Sequence, residues 1–234
     1  IGRFRARSSD PARQMRRAQS AGLSTGRGHC WGPCRSRRPE GEMVMRFILA
    51  SGSPRRKMLL AQIGIKAEVR PSSYQEEIGL AGGSASELVA RNARGKGEAV
   101  LATCLPEEVV IAADTVVVLG EKILGKPHNA EAAIRMLRAL SGQEHRVLTG
   151  LAVFYRGQVQ TATVSTLVRF RQLTTAEIRG YVATGEPLDK AGAYGIQGRG
   201  AVLVESICGC YNNVVGLPLT EFYLLCQQLE VKLP

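Results

Sequence analysis

The sequence predicts an α/β domain built on a mixed sheet, and three observations carry that expectation. Strand-like and helix-like stretches alternate from residue 46 onward. The segment Val109 to Val118 is apolar at nearly every position, the pattern of a strand buried on both faces. Val147 to Tyr155 and Gln158 to Arg171 are two long β-forming runs joined at Arg156-Gly157, which reads as a hairpin and brings antiparallel pairing into the sheet. A chain of 234 residues with 44% hydrophobic content has the material for one such domain, or for a domain with an appendage.

The elements follow in order. Phe47 to Ala50 is a short apolar strand, and Ser53-Pro54 supplies an N-cap and a first helical residue for a helix running to about Ile65. Ala67 to Arg70 is extended, Pro71 to Ser84 is a polar loop, and a helix spans about Ser86 to Leu101. After the buried strand, Asn129 caps a helix over Ala130 to Leu140, stopped by Ser141-Gly142. Thr174-x-x-Glu177 is a capping box that opens a helix through Val182. A glycine-rich loop (Gly192 to Gly200), a strand (Ala201 to Ile207) and a helix (about Leu219 to Leu229) close the chain. No internal repeat is evident, and no domain boundary is expected after residue 45.

Charge is distributed unevenly. Residues 1 to 44 contain ten arginines against Asp10, Glu40 and Glu42, so seven of the net +11 charges sit there. The segment is rich in Gly, Ser, Pro and Arg, aperiodic, and poor in anything to bury, which predicts a basic disordered leader. It begins with Ile1 and leads into Met43-Val44-Met45, so it reads as translated sequence upstream of the true start. A transit peptide and a basic nucleic-acid arm are the rival readings. Cys30 and Cys34 have three intervening residues and miss the C-x-x-C spacing. Cys104, Cys208, Cys210 and Cys226 lack paired spacing or nearby histidines, so they read as small buried hydrophobes rather than zinc ligands. No apolar run approaches the roughly 18 residues of a membrane span, so a soluble protein is expected, and the unpaired cysteines suit a reducing cytoplasm.

Three stretches carry chemistry. Ser51-Gly52-Ser53-Pro54-Arg55-Arg56 places two guanidiniums on the first turn of a helix whose backbone N–H groups and dipole already favour an anion. This is a phosphate site in outline, although an ordinary turn with two solvated arginines has the same residues. Asp114 interrupts an otherwise apolar strand, and such a carboxylate is expected at a strand break, facing a cleft, with a cation or metal beside it. The alternative is an Asp that caps a turn. Lys126, between Gly125 and Pro127, is in reach of the same cleft, and Glu76 with Glu77 could share a metal. Glu186 to Gly198 is dense in glycine, and within it Gln197 can both donate to and accept from a base edge. His128 and His145 have no partner at a diagnostic spacing and are not read as catalytic.

The set Ala50 to Arg56, Ala113-Asp114-Thr115-Val116-Val117, Gly125-Lys126-Pro127, Glu186 to Gly198 and Asn213 to Pro218 resembles the Maf family over residues 45 to 234. The resemblance implies an elongated mixed sheet with helices around a central cleft, of the inosine triphosphatase type. It also implies a divalent metal cofactor, Mg²⁺ or Mn²⁺, and a homodimer. The activity implied is hydrolysis of a nucleoside triphosphate to the monophosphate and pyrophosphate. Asp114 would be the general base and a metal ligand with Glu76. Ser53, Arg56, Lys96, Lys126 and Lys190 would bind the substrate's phosphates. Arg55, Thr115 and Gln197 match the branch of the family that cleaves dTTP and UTP, and modified pyrimidine triphosphates fall within the same expectation. A non-catalytic nucleotide-sensing or nucleic-acid-binding regulator of septum formation is the competing class. A membrane or nucleic-acid partner is not expected. Asn212, where relatives often carry Tyr, is a small departure beside the site.

Overall fold

The alternation in the sequence becomes a seven-stranded mixed sheet in the computed structural model, which describes residues 45–79 and 83–234. The expectation for the basic leader, residues 1 to 44, lies outside the described residues. Strand β1 (Arg46–Leu49) is followed by α1 (Pro54–Gln62), β2 (Glu68–Val69), α2 (Ala85–Leu101), β3 (Glu108–Leu119), β4 (Lys122–Leu124) and α3 (Ala130–Leu140). The hairpin β5 (Glu144–Tyr155) and β6 (Gln158–Phe170), then α4 (Thr175–Ala183), β7 (Val204–Cys208), α5 (Tyr211–Val215) and α6 (Leu219–Gln228) complete the chain. The strand order is β2-β1-β3-β5-β6-β7, with β4 on β3. β1 runs parallel to β2 and β3, and the other pairings are antiparallel.

The predicted caps form. Asn129 Oδ1 accepts from the Ala132 N–H at 2.8 Å, and Thr174 with Glu177 makes the capping box. Ser84 and Glu87 make a second box, so α2 begins at Ala85, one residue before its predicted start. Three expectations change. The strand placed at Ala201 begins at Val204, because residues 199 to 203 coil into a 3₁₀ turn. β4 and α5 are too short to leave a periodic trace. Of the cysteines, Cys226 is buried, Cys104 and Cys210 are half-buried, and Cys208 is exposed on β7.

Alternation along β3 assigns its side chains to two faces. Val109, Ile111 and Ala113 pack with α1 and α6 in one cluster, while Val117 packs with α3 and α4 in another on the same face. Val110, Ala112, Val116 and Val118 face α2 on the opposite side. Between the two clusters of the first face lies a polar seam containing Thr115, Thr149 and Asn213. The pairing also leaves a gap. β1 ladders with β3 only through Leu49 and Ile111, and β4 only from Val117, so Ala112 to Val116 has no strand on that side among the described residues. Open α/β sheets receive ligands where strands part in this way. None of the helices described is long and apolar enough to cross a membrane.

His145 sits in the cluster under α3 and α4, edge-on to the rings of Phe170 and Tyr194, with Nε2 2.8 Å from the Tyr194 hydroxyl. Burial lowers its pKa from 6.5 to about 4. An unfolded chain protonates this histidine near pH 6.5 while the native state resists until about pH 4. Its stabilising contribution is therefore complete above pH 6.5 and is lost as pH falls toward 4. Unfolding free energy is expected to drop by about 2 kcal/mol between pH 7 and 5 from this group. His145→Phe should flatten that difference in chemical denaturation; an equally steep profile in the variant would show that other groups cause it.

Candidate active site

The end of β1, the start of α1 and the open edge of β3 converge on a cavity of about 1250 Å³. Ser53, Arg55, Arg56, Glu76, Lys96, Asp114, Thr115, Lys126, Lys190 and Gln197 all line it. Asp114 and Thr115 are consecutive and point to opposite faces of β3, yet both reach the cavity because the sheet is open beside them.

Asp114 is only 5% exposed and lies within an unbroken ladder, paired with Gly150. The expected strand break is absent. What makes a carboxylate tolerable in mid-strand is α2, which lays two polar side chains against it. Lys96 Nζ is 2.6 Å from Asp114 Oδ1 and Asn92 Nδ2 donates to Oδ2 at 2.9 Å. Both partners are buried themselves. The helix comes that close because residue 150 is glycine: a Cβ there would overlap the Val89 carbonyl. Asn92 also accepts from the Glu77 N–H at 2.9 Å and donates to the Glu77 carbonyl at 3.2 Å, which pins the loop before α2.

Glu76 and Glu77 do not act together. Lys96 Nζ lies 2.7 Å from Glu76 Oε1, whereas Glu77 turns to Arg91 at 3.1 Å. Lys96 thus joins Glu76 to Asp114. The described residues contain no group of three or more His, Cys, Asp or Glu side chains converging on one point. Two carboxylates meeting at one cation nevertheless suit a hard divalent ion that takes its remaining ligands from water and substrate phosphates.

On the other face Arg56 is held by three acceptors. Its Nε donates to the Gly216 carbonyl at 2.8 Å, Nη1 to Ser51 Oγ at 3.0 Å and Nη2 to Thr115 Oγ1 at 3.1 Å. Burial pulls this guanidinium below its ordinary pKa against the opposing charge of Asp114, and it remains a cation. Ser53 occupies the N-cap position of α1, but its hydroxyl makes no capping bond; the Ser51 hydroxyl accepts from the Ser53 N–H instead. The first turn of α1 therefore keeps donors for a ligand.

The opposite wall is the glycine-rich segment. Lys190 Nζ bonds the Glu186 carbonyl at 2.7 Å and Asp189 Oδ1 at 2.6 Å, and Arg55 reaches Asp189 Oδ2 at 3.3 Å. Burial raises the Asp189 carboxyl, but the bonds from Lys190 and Arg55 outweigh it and hold the group below its ordinary value. Glu186 accepts from Tyr181 and from the N–H groups of Arg199 and Gly200, which fixes the loop carrying Gln197. Gln197 and Lys126 stand exposed on the cavity wall. Asn92 and Thr149 escaped sequence reasoning, and Ser51 and Glu186 stood within its motifs without a role of their own. The one available signal was Asn92 and Lys96 at i and i+4, on the same stripe as the apolar Leu88, Val89 and Ala93.

Comparison with known proteins identifies the chain's relatives. The family model described as Maf-like protein matches residues 46–229. A protein of Anaeromyxobacter dehalogenans named dTTP/UTP pyrophosphatase is 50% identical over 196 residues, 82% of this chain and 98% of its own length. Proteins with the same name from Gloeobacter violaceus and Escherichia coli O157:H7 are each 50% identical, over 76% of this chain and 92% and 90% of their own lengths. A match across nearly the whole described domain, with half of all residues identical in relatives covered almost end to end, places the chain in the Maf-like protein family.

Proposed function

We propose that this chain is a nucleoside triphosphate pyrophosphatase that hydrolyses dTTP and UTP to the monophosphate and pyrophosphate. The observation that carries the reading is the buried Asp114 carboxylate, braced by Lys96 and Asn92 on the floor of a cleft walled by Arg55, Arg56 and Lys190. Relatives bearing the name dTTP/UTP pyrophosphatase at 50% identity support it. A protein that merely sensed a nucleotide would have no use for a buried acid and lysine beneath the anion-binding wall.

In this mechanism the nucleotide's phosphates lie along the first turn of α1, where backbone N–H groups, the Ser53 hydroxyl and Arg56 face them. Water attacks the α-phosphorus and gives its proton to Asp114. The bond from the α-phosphorus to the bridging oxygen breaks, and pyrophosphate leaves with that electron pair. Lys126 and Lys190 stabilise the charge that develops on it, and Lys96 orients the Asp114 carboxyl group toward the cleft. A divalent cation, Mg²⁺ or Mn²⁺, held by Asp114 and Glu76 would neutralise phosphate oxygens when bound. Because Lys96 occupies the meeting point of these two carboxylates, it would share them with the ion. The family resemblance further supports a homodimer working in the reducing cytoplasm.

A screen of nucleoside triphosphates with detection of pyrophosphate tests the reading. kcat/KM for dTTP and UTP is expected to exceed that for dATP, GTP and 7-methyl-GTP by at least about tenfold, because buried polar groups left unpaired by the wrong base weaken its transition state. Equal rates with purines and pyrimidines would remove Arg55, Thr115 and Gln197 from base selection. Release of orthophosphate in place of pyrophosphate would overturn the reaction itself.

A further inference from the structure

The polar seam on the sheet contains a hydrogen-bond relay that the reaction above does not use. Thr115 and Thr149 are direct partners across β3 and β5, and their hydroxyl oxygens are 2.9 Å apart. Thr149 is wholly buried, and its hydroxyl donates to the backbone carbonyl of Asn213 at 3.2 Å. That carbonyl is held in place, since the buried Asn213 side chain donates to the Val147 carbonyl and to Thr166 Oγ1, both at 2.9 Å.

A hydroxyl has one proton, and a carbonyl can only accept. Thr149 therefore commits its proton to Asn213, and the proton between the two threonines must come from Thr115. On its other side Thr115 Oγ1 already accepts from Arg56 Nη2 at 3.1 Å. What Thr115 has left for the cavity is one lone pair. A triphosphate chain at neutral pH has no proton to give it. Among pyrimidine bases, uracil and thymine carry a ring N–H at position 3, where cytosine has an acceptor.

We propose that Thr149, without touching the ligand, fixes Thr115 as an acceptor-only contact and thereby selects uracil or thymine over cytosine. Thr149 is thus a positioning residue for specificity. The inference rests on reading the cleft as a nucleoside triphosphate site. It does not depend on the role of Asp114.

The test compares kcat/KM for UTP and CTP in the wild type, Thr149→Val and Thr149→Ser. Valine keeps the shape and removes the relay, which frees the Thr115 proton to meet a ring acceptor. The UTP-to-CTP ratio is expected to fall by about tenfold in Thr149→Val and to stay near wild type in Thr149→Ser. Loss of packing alone would lower both substrates together and leave the ratio unchanged, which would overturn the proposal. Should the valine variant fail to fold, wild-type protein with 3-methyl-UTP still decides: at least about a tenfold loss against UTP is expected, and equal turnover would overturn the proposal. A loss that instead follows the 2′-hydroxyl, read by comparing UTP with dUTP, would assign the donor to the sugar and overturn it as well. Thermal shifts with UTP and CTP read the same preference as binding. If no triphosphate releases pyrophosphate but the shifts favour UTP, the reaction falls and the relay stands.

Discussion

Asp114→Asn is expected to reduce pyrophosphate release by about 10²- to 10⁴-fold, the usual scale for a general base. The substitution also disturbs the fold, for a reason visible in the contacts. Lys96 and Asn92 both present donors to the carboxylate, one to each oxygen. An asparagine has a single oxygen, so its own NH₂ must face either the ammonium or the Asn92 NH₂. Asn92 cannot turn to relieve this, because its oxygen accepts from the Glu77 N–H. One buried donor is left against another, at a cost of about 1–3 kcal/mol. The variant should fold with a lowered Tm and little turnover. Near-normal pyrophosphate release would remove Asp114 from the mechanism, and an unchanged Tm would show that the loop before α2 gives way more easily than its hydrogen bonds suggest.

Much of this site was legible because its residues conflict with their local pattern. An acid within an apolar strand is costly without a partner, so Asp114 announced itself. Two arginines after Ser-Pro at a strand end marked the anion-binding turn in the same way. Other residues carried no conflict. Asn92 and Thr149 are ordinary residues for an exposed helix face and for a strand, and only the fold shows that both are buried and fully engaged. Lys96 entered through the family resemblance, and its burial beneath Asp114 could not be foreseen from a lysine in a helix. The expected strand break at Asp114 failed for a related reason. A strand by itself can relieve a carboxylate only by breaking, whereas here relief comes from a helix eighteen to twenty-two residues earlier in the chain. β4 and α5 were missed because three and five residues are too few to show a period.

Gly150 tests how far this helix sets the chemistry, and Gly150→Ala is expected to damage stability and activity together. Its backbone is extended and needs no left-handed conformation, so glycine is required there by space alone. An added methyl would run into the Val89 carbonyl and the Ala90 nitrogen, which are helix backbone and cannot rotate aside as a side chain would. α2 must move away from the sheet. Overpacking of this kind costs up to about 3 kcal/mol, partly offset by the roughly 0.5–1 kcal/mol that alanine gains in backbone entropy, and Tm should drop by several degrees. Asn92 and Lys96 lie on the same helix, one and two turns further on, so the shift that makes room at Val89 also lengthens their bonds to Asp114. Turnover should therefore fall by at least about tenfold at a temperature where the variant is fully folded, since misplacing a catalytic group by an ångström is enough for that. Gly97→Ala, on the same helix, is the matched control: its methyl would meet the ring of Phe154 on β5, a side chain four positions along the ladder from Gly150 and able to adjust. It should lose stability without a comparable loss of turnover in the folded protein. If both variants lose activity only in proportion to the fraction unfolded, α2 contributes to the core and does not position the carboxylate.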